Sequence, residues 1–397
     1  MDPSRFQAPA FGAARRDGSS FWYFAPEPLP RHLALSVETI MALSGADNAL
    51  GRLASAGKYL KDPALFVRPY ITREAVASSR IEGTEASLSD VLQAAAVGDD
   101  REGDVREVQN YIAALDRGLA LLPDLPISQR LVAELHEVLM RGVRGRDKRP
   151  GELRNMPVYI GSPTDSAETA VFVPPLHPSL PQLLSDWERF VHEAPRLPIL
   201  IQCALLHYQF ETIHPFMDGN GRLGRLLIVF FLLEKGLLPA PLLYISTYLE
   251  EHRREYYDRL QAVRERGEIE QWLQFFLTAV TVQARDAVER SERLFELRES
   301  YRTMLAGSRS RATEVVDLLF ENPFVTGRSV ASRLDVTSQG ALNLIRSLES
   351  RGWLRELGTF GRGGRVYWVA QEVFDIIERP AGSAPVDQGQ PQLTLGA

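Results

Sequence analysis

The chain has 397 residues, 45% of them hydrophobic, and a formal net charge of −6, so it is long enough for two or three domains with buried cores. The near-neutral balance excludes a uniformly basic nucleic-acid-coating protein, although one domain can still carry a local basic surface. The single cysteine, Cys203, excludes an intrachain disulfide and favours a reducing compartment. The segment MDPSRFQAPAF has no apolar signal core, and the longest apolar run, LLIVFFLL, is far shorter than the ~20 residues of a membrane-spanning helix. We therefore expect a cytoplasmic, globular protein with no membrane partner.

Apolar residues recur at helical spacing along most of the first 300 residues. Helices are predicted over residues 32–60, 72–81, 105–122, 128–140, 180–192, 197–212, 222–235, 250–266 and 270–305. The segment MPVYIGSPTDSAETAVFVPP predicts a β-hairpin with strands over 158–160 and 170–173, and no other strand pair is expected before residue 308. The body of the chain is therefore predicted to be mainly α.

A second unit is predicted from residue 308, where a helix, a short helix, a longer helix and a strand pair around a Gly/Arg-rich turn follow one another. This is the order of a winged helix-turn-helix. The longer helix, 338–351, begins at a good capping residue and has the amphipathic pattern of a helix that enters a DNA major groove. Residues 309–365 contain nine arginines against six acids, a surplus that fits DNA binding and protein contact or dimerisation equally well. Residues 378–397 are rich in Pro, Gly and Gln and are expected to be disordered.

The segment HPFMDGNGRLGR, residues 214–225, interrupts two strongly apolar helices with a polar, glycine-rich loop. Gly219, Asn220 and Gly221 directly precede a predicted helix, so their backbone N–H groups form an anion cradle at the positive end of its dipole. Arg222 and Arg225 are three residues apart in the first turn, where cations are unfavourable unless an anion lies between them. The pattern predicts an anionic ligand such as a phosphate.

Two further residues of this segment point to chemistry. Asp218 offers a hard oxygen ligand beside the cradle, which is typical of Mg²⁺ bound to phosphates. His214 can take a proton from an attacking hydroxyl, because the unperturbed pKa of histidine lies near neutral pH. Phe216 is expected to anchor the loop in the core. Taken singly, each polar residue is more often structural, but their conjunction at one helix N-terminus predicts phosphoryl or nucleotidyl transfer.

The segment resembles the motif of the Fic (filamentation induced by cAMP) family, His-x-Phe-x-Asp/Glu-Gly-Asn-Gly-Arg-x-x-Arg, at every specified position. FWYFAPEPLP and the following helices resemble the Fic N-terminal domain, PGELR and VYIG resemble the approach to the substrate-positioning flap, and the C-terminal unit resembles the winged helix of two-domain bacterial members. The resemblance implies a mainly α fold, a Fic-type helical bundle with a β-hairpin flap and a C-terminal winged helix-turn-helix. The implied divisions are an N-terminal helical region (1–125), a Fic catalytic core (126–306), a winged helix (307–377) and the tail.

The resemblance also implies an activity, the transfer of AMP from ATP to a Ser, Thr or Tyr hydroxyl of a target protein or of the chain itself. His214 would be the base, and Asp218 would hold Mg²⁺. The nucleotide-binding residues would be Gly219, Asn220, Gly221, Arg222, Leu223, Gly224 and Arg225.

A second motif, ASSRIEG at residues 77–83, resembles the inhibitory signature Ser/Thr-x-x-x-Glu-Gly of the same family. Without the family, Ser78 and Glu82 are an i, i+4 pair on the solvated face of a short helix capped by Gly83. With it, Glu82 is expected to pair with Arg225 in the place of the ATP γ-phosphate and to inhibit the enzyme. In some relatives this glutamate instead helps water to remove AMP, so removal is an open alternative.

One position departs from the family pattern. Relatives often read Tyr-x-x-x-Asn-Arg-x-x-Tyr-Tyr after the motif, whereas this chain reads YLEEHRREYY and places His252 where the adenine-contacting Asn is usual. A histidine can donate or accept one hydrogen bond, or stack on the purine. It cannot present a donor and an acceptor together to the base as an amide does. Two other functions stay open: transfer of another nucleotide or phosphate-containing group, and a winged-helix transcriptional regulator with a retained Fic fold. A homodimer is also an open alternative.

Overall fold

The computed structural model describes residues 1–18, 20–59, 63–98, 103–143, 149–162, 164–194, 196–307, 310–360 and 365–379. The predicted Gly/Arg-rich turn at 361–364 and the tail beyond residue 379 lie outside the described residues. The helices are α1 (Val37–Tyr59), α2 (Pro63–Ile81), α3 (Leu88–Val97), α4 (Asp104–Leu121), α5 (Gln129–Leu139), α6 (Leu180–His192), α7 (Ile199–Ile213), α8 (Asn220–Glu234), α9 (Ser246–Glu251), α10 (Arg253–Arg266), α11 (Ile269–Met304), α12 (Ala312–Glu321), α13 (Gly327–Leu334), α14 (Ser338–Glu349) and α15 (Gln371–Glu378). The strands are β1 (Gly12–Asp17), β2 (Phe21–Pro26), β3 (Phe324–Thr326), β4 (Arg355–Phe360) and β5 (Arg365–Val369).

Helices α7 and α8 form the centre of the body and are buried along nearly their whole length. Such burial on every side explains why both helices read as almost continuous apolar runs and not as amphipathic stripes. Around them pack α5, α6 and the long α11, against which α1 lies along its length. The mainly α architecture predicted from the sequence is confirmed. In the part of the chain that the structure describes, no helix is both long and apolar enough to cross a membrane.

The N-terminal residues contain a strand pair that was not predicted, since only one pair was expected before residue 308. Strands β1 and β2 form an antiparallel hairpin in which Ala14 faces Phe24. The predicted hairpin at 158–160 and 170–173 is reduced to one antiparallel bridge, Ile160 to Phe172. The Phe24 N–H donates to the Val173 carbonyl at 2.9 Å, so part of the backbone pairing expected within the predicted hairpin is made instead with β2. Long-range pairing of this kind leaves no local signal in the sequence.

Three helices also differ from the prediction. Helix α3 was not predicted, although Ser87 and Asp90 form a capping box at its start and Gly98 ends it in the left-handed conformation. The single helix predicted over 250–266 is divided at His252 into α9 and α10. The predicted short helix at 72–81 is the second half of α2, which continues through Pro69.

The C-terminal unit has the predicted winged helix-turn-helix order, with a three-stranded sheet in the order β3-β5-β4. Strand β3 and helix α15 were not predicted from the sequence. This unit packs directly on the body, since α12 and α15 both contact α2 and Asn322 donates its side-chain amide to the Leu92 carbonyl at 2.8 Å. Arg290 of α11 is fully buried and donates to the carbonyl groups of Ile376 and Ile377, which holds α15 in place.

Two glycines inside helices give a matched test of this packing. A Cβ at Gly118 of α4 would lie 2.2 Å from the Phe230 ring, whereas a Cβ at Gly51 of α1 would meet open space. Gly118→Ala should lower the free energy of unfolding by about 1–3 kcal/mol through overpacking. Gly51→Ala should raise it by about 0.5–1 kcal/mol, because alanine is the better helix former. Urea denaturation of both variants measures the difference, and equal effects would contradict the close contact of α4 with α8.

Candidate active site

The loop between α7 and α8 begins at His214, which leaves the helix in the left-handed conformation with φ 50°. Its N–H still donates to the Phe210 carbonyl at 2.9 Å, so the backbone position of His214 is set by the end of α7. Phe216 is fully buried, as expected for a loop anchor. Its ring stacks on His136 of α5 with 3.8 Å between centroids. The loop is therefore fixed to the core within three residues of the helix.

The Asn220 side chain closes this loop on itself. Its carbonyl oxygen accepts from the Phe216 N–H and its amide donates to the Phe216 carbonyl, both at 2.9 Å. The side chain is buried, so these two bonds replace two lost bonds to water. The structure thus places the Asn220 amide on the loop backbone, whereas the resemblance implied a contact with phosphate.

His136 supports the loop from α5 and was missed by the sequence analysis. Its Nδ1 accepts from the Gly151 N–H at 2.8 Å, so Nε2 carries the proton and donates to the Asp218 carbonyl at 3.0 Å. Burial lowers the pKa of His136 to about 4, which keeps the ring neutral. The sequence did offer a signal for the role of His136, because this histidine lies on the apolar face of a predicted helix.

The first turn of α8 forms the anion cradle that the glycines predicted. Gly219 is the N-cap in the left-handed conformation, with φ 75°, and its lack of a side chain leaves the first-turn N–H groups without a side-chain cap from this position. A Cβ at Gly219 would also lie 2.8 Å from the Met140 sulfur. The Asp218 carboxylate accepts from the Gly219 N–H at 2.7 Å, so it lies beside the same turn.

The two motif arginines point to different partners. Both are buried. Arg222 pairs with Glu107 of α4 at 3.2 Å and lies 3.8 Å from the Asp218 carboxylate. Arg225 turns toward α2, so the structure does not bring the two guanidinium groups to one shared partner.

Arg225 is held entirely by the end of α2. Its Nε donates to the Ser78 hydroxyl, and its Nη2 donates to the Ser78 carbonyl and to the Glu82 carboxylate, each at 2.8 Å. Glu82 follows the last residue of α2, and Gly83 turns the chain away with φ 95°. The predicted pairing of Glu82 with Arg225 is present.

The Glu82 carboxylate also covers the cradle. A Cβ at Gly221 would lie 2.2 Å from Glu82 Oε1 and 3.0 Å from Arg225 Nη1. The carboxylate therefore lies against the first turn of α8, the position that an anionic group of a ligand would need.

Helix α2 is fixed in this position by Glu74, which lies about one helical turn before Ser78. The Glu74 carboxylate accepts from the Ser246 N–H at 3.0 Å, from the Ser246 hydroxyl and from the Tyr111 hydroxyl at 3.1 Å. These bonds join α2 to the start of α9 and to α4. The position of Glu82 after the end of α2 is thus supported by contacts of α2 with α4 and α9.

The His214 ring is neutral at physiological pH. Burial lowers its pKa to about 4, with a further lowering by the charge of Arg154 and a smaller one by Arg264, while Glu82 acts in the opposite direction. A neutral ring has an unprotonated nitrogen, which is what a general base requires. Arg154 donates to the His214 carbonyl at 2.8 Å and was not identified as a functional residue from the sequence.

Glu211 is a second buried acid of the site that the sequence analysis missed. Its Oε1 would lie 2.4 Å from a Cβ at Gly224 and has no hydrogen-bond partner among the described residues. Burial raises its pKa to about 7, against the influence of Arg225. Gly224 therefore has a packing role, and its carbonyl accepts from His207 Nδ1 at 3.2 Å. The Leu223 side chain belongs to the core.

The aromatic residues after the motif divide between core and surface. Tyr256 is buried and bonded to His207 at 2.9 Å, so it is a core residue. Tyr257 is half-exposed, and burial together with the charge of Glu82 raises its pKa to about 12. His252 lies where α9 meets α10, stacks on Tyr248 with 4.1 Å between centroids and donates from Nδ1 to the Tyr248 carbonyl at 2.9 Å. Its contact with a base stays a prediction.

A magnesium ion at this site would need ligands in addition to the side chains of the protein. Among the described residues, no group of three or more His, Cys, Asp or Glu side chains is placed to hold a metal. Asp218 beside an uncapped helix N-terminus fits an ion that takes most of its ligands from phosphates and water.

Comparison with known proteins identifies the family. Residues 40–120 match the Fic/DOC family N-terminal domain, and residues 126–232 match the Fic/DOC family domain. The chain therefore contains two domains of the Fic/DOC family. Residues 313–365 of this Fic protein match a helix-turn-helix DNA binding domain, which confirms the winged-helix order predicted for the C-terminal unit.

Curated relatives carry an enzyme name. The protein adenylyltransferase Fic of Aedes aegypti is 28% identical over 201 residues, which are 49% of this chain and 37% of the relative. That of Drosophila ananassae is 26% identical over 247 residues, 60% of this chain and 45% of the relative. The matches thus span less than half the length of these relatives. A solved Fic family protein from Desulfovibrio desulfuricans G20 has the same fold, with a TM-score of 0.55 and 20% identity over 86% of this chain and 98% of its own.

Proposed function

We propose that this Fic protein transfers AMP from ATP to a hydroxyl side chain of a protein, and that Glu82 inhibits the transfer. The observation that carries the proposal is the Glu82 carboxylate bound to buried Arg225 over the first turn of α8. An anion already lies in the cradle, so the cradle can receive the phosphates of a nucleotide once this anion leaves. The adenylyltransferase names of the relatives support AMP as the transferred group.

The chemistry follows from the residues around the cradle. The hydroxyl oxygen attacks the α-phosphorus, the bond from that phosphorus to the bridging oxygen of the β-phosphate breaks, and pyrophosphate leaves. His214 takes the hydroxyl proton on its free ring nitrogen. The N–H groups of α8 and Arg225 stabilise the charge of the phosphates. Asp218 would hold Mg²⁺, which neutralises phosphate charge when bound.

Transfer of AMP is tested with labelled ATP. The Glu82→Gly protein should incorporate label from α-labelled and not from γ-labelled ATP, and EDTA should stop incorporation. His214→Ala in that background should abolish incorporation and keep ATP binding, because the base and the cradle are different groups. The matched control is His32→Ala at an exposed histidine. Label from γ-labelled ATP would indicate phosphate transfer instead, and equal losses of ATP binding and rate in His214→Ala would contradict the base assignment.

Inhibition by Glu82 is tested by removing its carboxylate. Glu82→Gly should raise automodification by about 10–100-fold, the value of one charge-assisted hydrogen bond. Glu85→Gly, at an exposed carboxylate three residues further on, should leave the rate unchanged. Wild-type rates in Glu82→Gly across a range of ATP concentrations would refute the inhibitory role. If wild type releases label from AMP-loaded protein and Glu82→Gly does not, Glu82 acts in AMP removal.

DNA binding by the winged helix is a second proposed function. On α14 the side chains of Gln339, Asn343 and Arg346 are exposed on one side, and this unit matches a DNA binding domain. Amide and guanidinium groups are those that read base edges in the major groove.

The full chain should therefore bind duplex DNA with an affinity that falls steeply with salt. Arg346→Ala should weaken binding, and Arg254→Ala, at an exposed arginine of α10, should not. If wild type does not bind random or genomic duplexes at low salt, this function is excluded and the unit serves protein contacts.

A further inference from the structure

Arg154 is a buried cation whose partners, in the described part of the chain, are all backbone carbonyl groups. It is 2% exposed. Its guanidinium donates to the carbonyls of His214 at 2.8 Å, Ile213 at 3.2 Å, Pro175 at 2.6 Å and Met156 at 3.3 Å. Burying a guanidinium without a carboxylate partner is unfavourable, so the four carbonyl bonds are what hold the charge in place.

These carbonyls come from two separate parts of the chain. Ile213 and His214 form the end of α7 and the start of the motif loop, and the Arg154 N–H also donates to the Pro215 carbonyl at 3.0 Å. Met156 and Pro175 are the two ends of the segment that folds back on itself through the Ile160 to Phe172 bridge. We name the described residues 156–162 and 164–175 the flap. One guanidinium thus joins both ends of the flap to the residue that carries the proposed base.

We propose that Arg154 is the positioning residue of this active site, which fixes the flap and the His214 backbone in one geometry. The proposal rests on the proposed AMP transfer, in which His214 takes the proton of the attacking hydroxyl. Arg154 donates to the carbonyl of His214 and not to its ring, so it acts through the backbone. Because a misplacement of about 1 Å can cost about 100-fold in rate, a guanidinium bonded to four carbonyl groups at this point sets the reactive geometry.

The charge of Arg154 has a second effect on the same ring. The charged groups that face His214 are Arg154, Arg264 on α10 and Glu82 after α2. After burial, Arg154 is the largest influence that lowers the pKa of His214, so it keeps the ring in the form that accepts a proton. Geometry and protonation therefore depend on one residue, and two substitutions can separate them.

The test uses Arg154→Lys and Arg154→Gln in the Glu82→Gly full chain. Lysine keeps the charge and loses the fork of donors. Arg154→Lys should lower automodification by about 10-fold or more, with unchanged ATP affinity and an unchanged pKa of His214. Arg154→Gln should lower automodification as well, and it should raise the pKa of His214 by about one pH unit. Titration of ¹³C-labelled histidine by NMR, with the His214 signal assigned from the His214→Ala spectrum, measures the pKa.

The matched controls are Arg290→Lys and Arg290→Gln. Arg290 of α11 is also fully buried and also donates to carbonyl groups, but these belong to α15, and it pairs in addition with the Asp286 carboxylate at 2.7 Å. These variants should lose thermal stability and leave the His214 pKa and the rate unchanged. An Arg154→Lys protein with the same rate as its Glu82→Gly parent, or a fall in ATP affinity equal to the fall in rate, overturns the positioning role. If Arg154→Gln does not fold, Arg154→Lys decides by the same criteria. If Glu82→Gly transfers no label at all, AMP transfer fails, while the His214 titration still decides whether Arg154 acts on the ring.

Discussion

The buried guanidinium of Arg225 is the constraint on which the rest of the site depends. A cation with 1% exposure, the sixth residue of α8, is unfavourable by desolvation, so it must have an anionic or polar partner. In this conformation Ser78 and Glu82 provide that partner, and both belong to the end of α2. The occupation of the cradle, the proposed inhibitory contact and the position of α2 therefore depend on the same interaction. Any ligand phosphate that enters competes with a carboxylate for the same donor.

The motif loop is held in shape by hydrogen bonds within the protein. Asn220 bonds the loop to itself, His136 supports it from α5, and Arg154 holds its start from the flap side. Each of these side chains forms its hydrogen bonds with backbone atoms. The first-turn N–H groups and the His214 ring are therefore not used to hold the loop and can face a substrate. Preorganised donors do not have to reorient during the reaction, which is the condition for strong electrostatic stabilisation.

Helix α2 is also the element that connects the two units of the chain. Its inner side is bonded through Glu74 to α4 and α9, and α12 and α15 of the winged helix pack on it as well. The helix that carries Ser78 is consequently part of both the active site and the contact between units. The sequence analysis identified the motif at its end and gave no sign of this contact, because interfaces between distant segments leave no periodic pattern.

The mainly α body and the winged-helix order could be predicted from the sequence, because both depend on hydrophobic period and glycine positions within short windows. The same kind of local signal led to the predicted chemistry of the 214–225 segment. Local signals also existed for α3, in its capping box and its final glycine, and were not used. Which arginine forms an ion pair with which acid depends on the tertiary structure. Arg222 pairs with Glu107 and Arg225 with Glu82, partners that are 115 and 143 residues away along the chain. The same holds for Arg154 and for the pairing of β2 with the flap, since burial and long-range hydrogen bonds are fixed by how helices pack and not by the residues beside them in the chain.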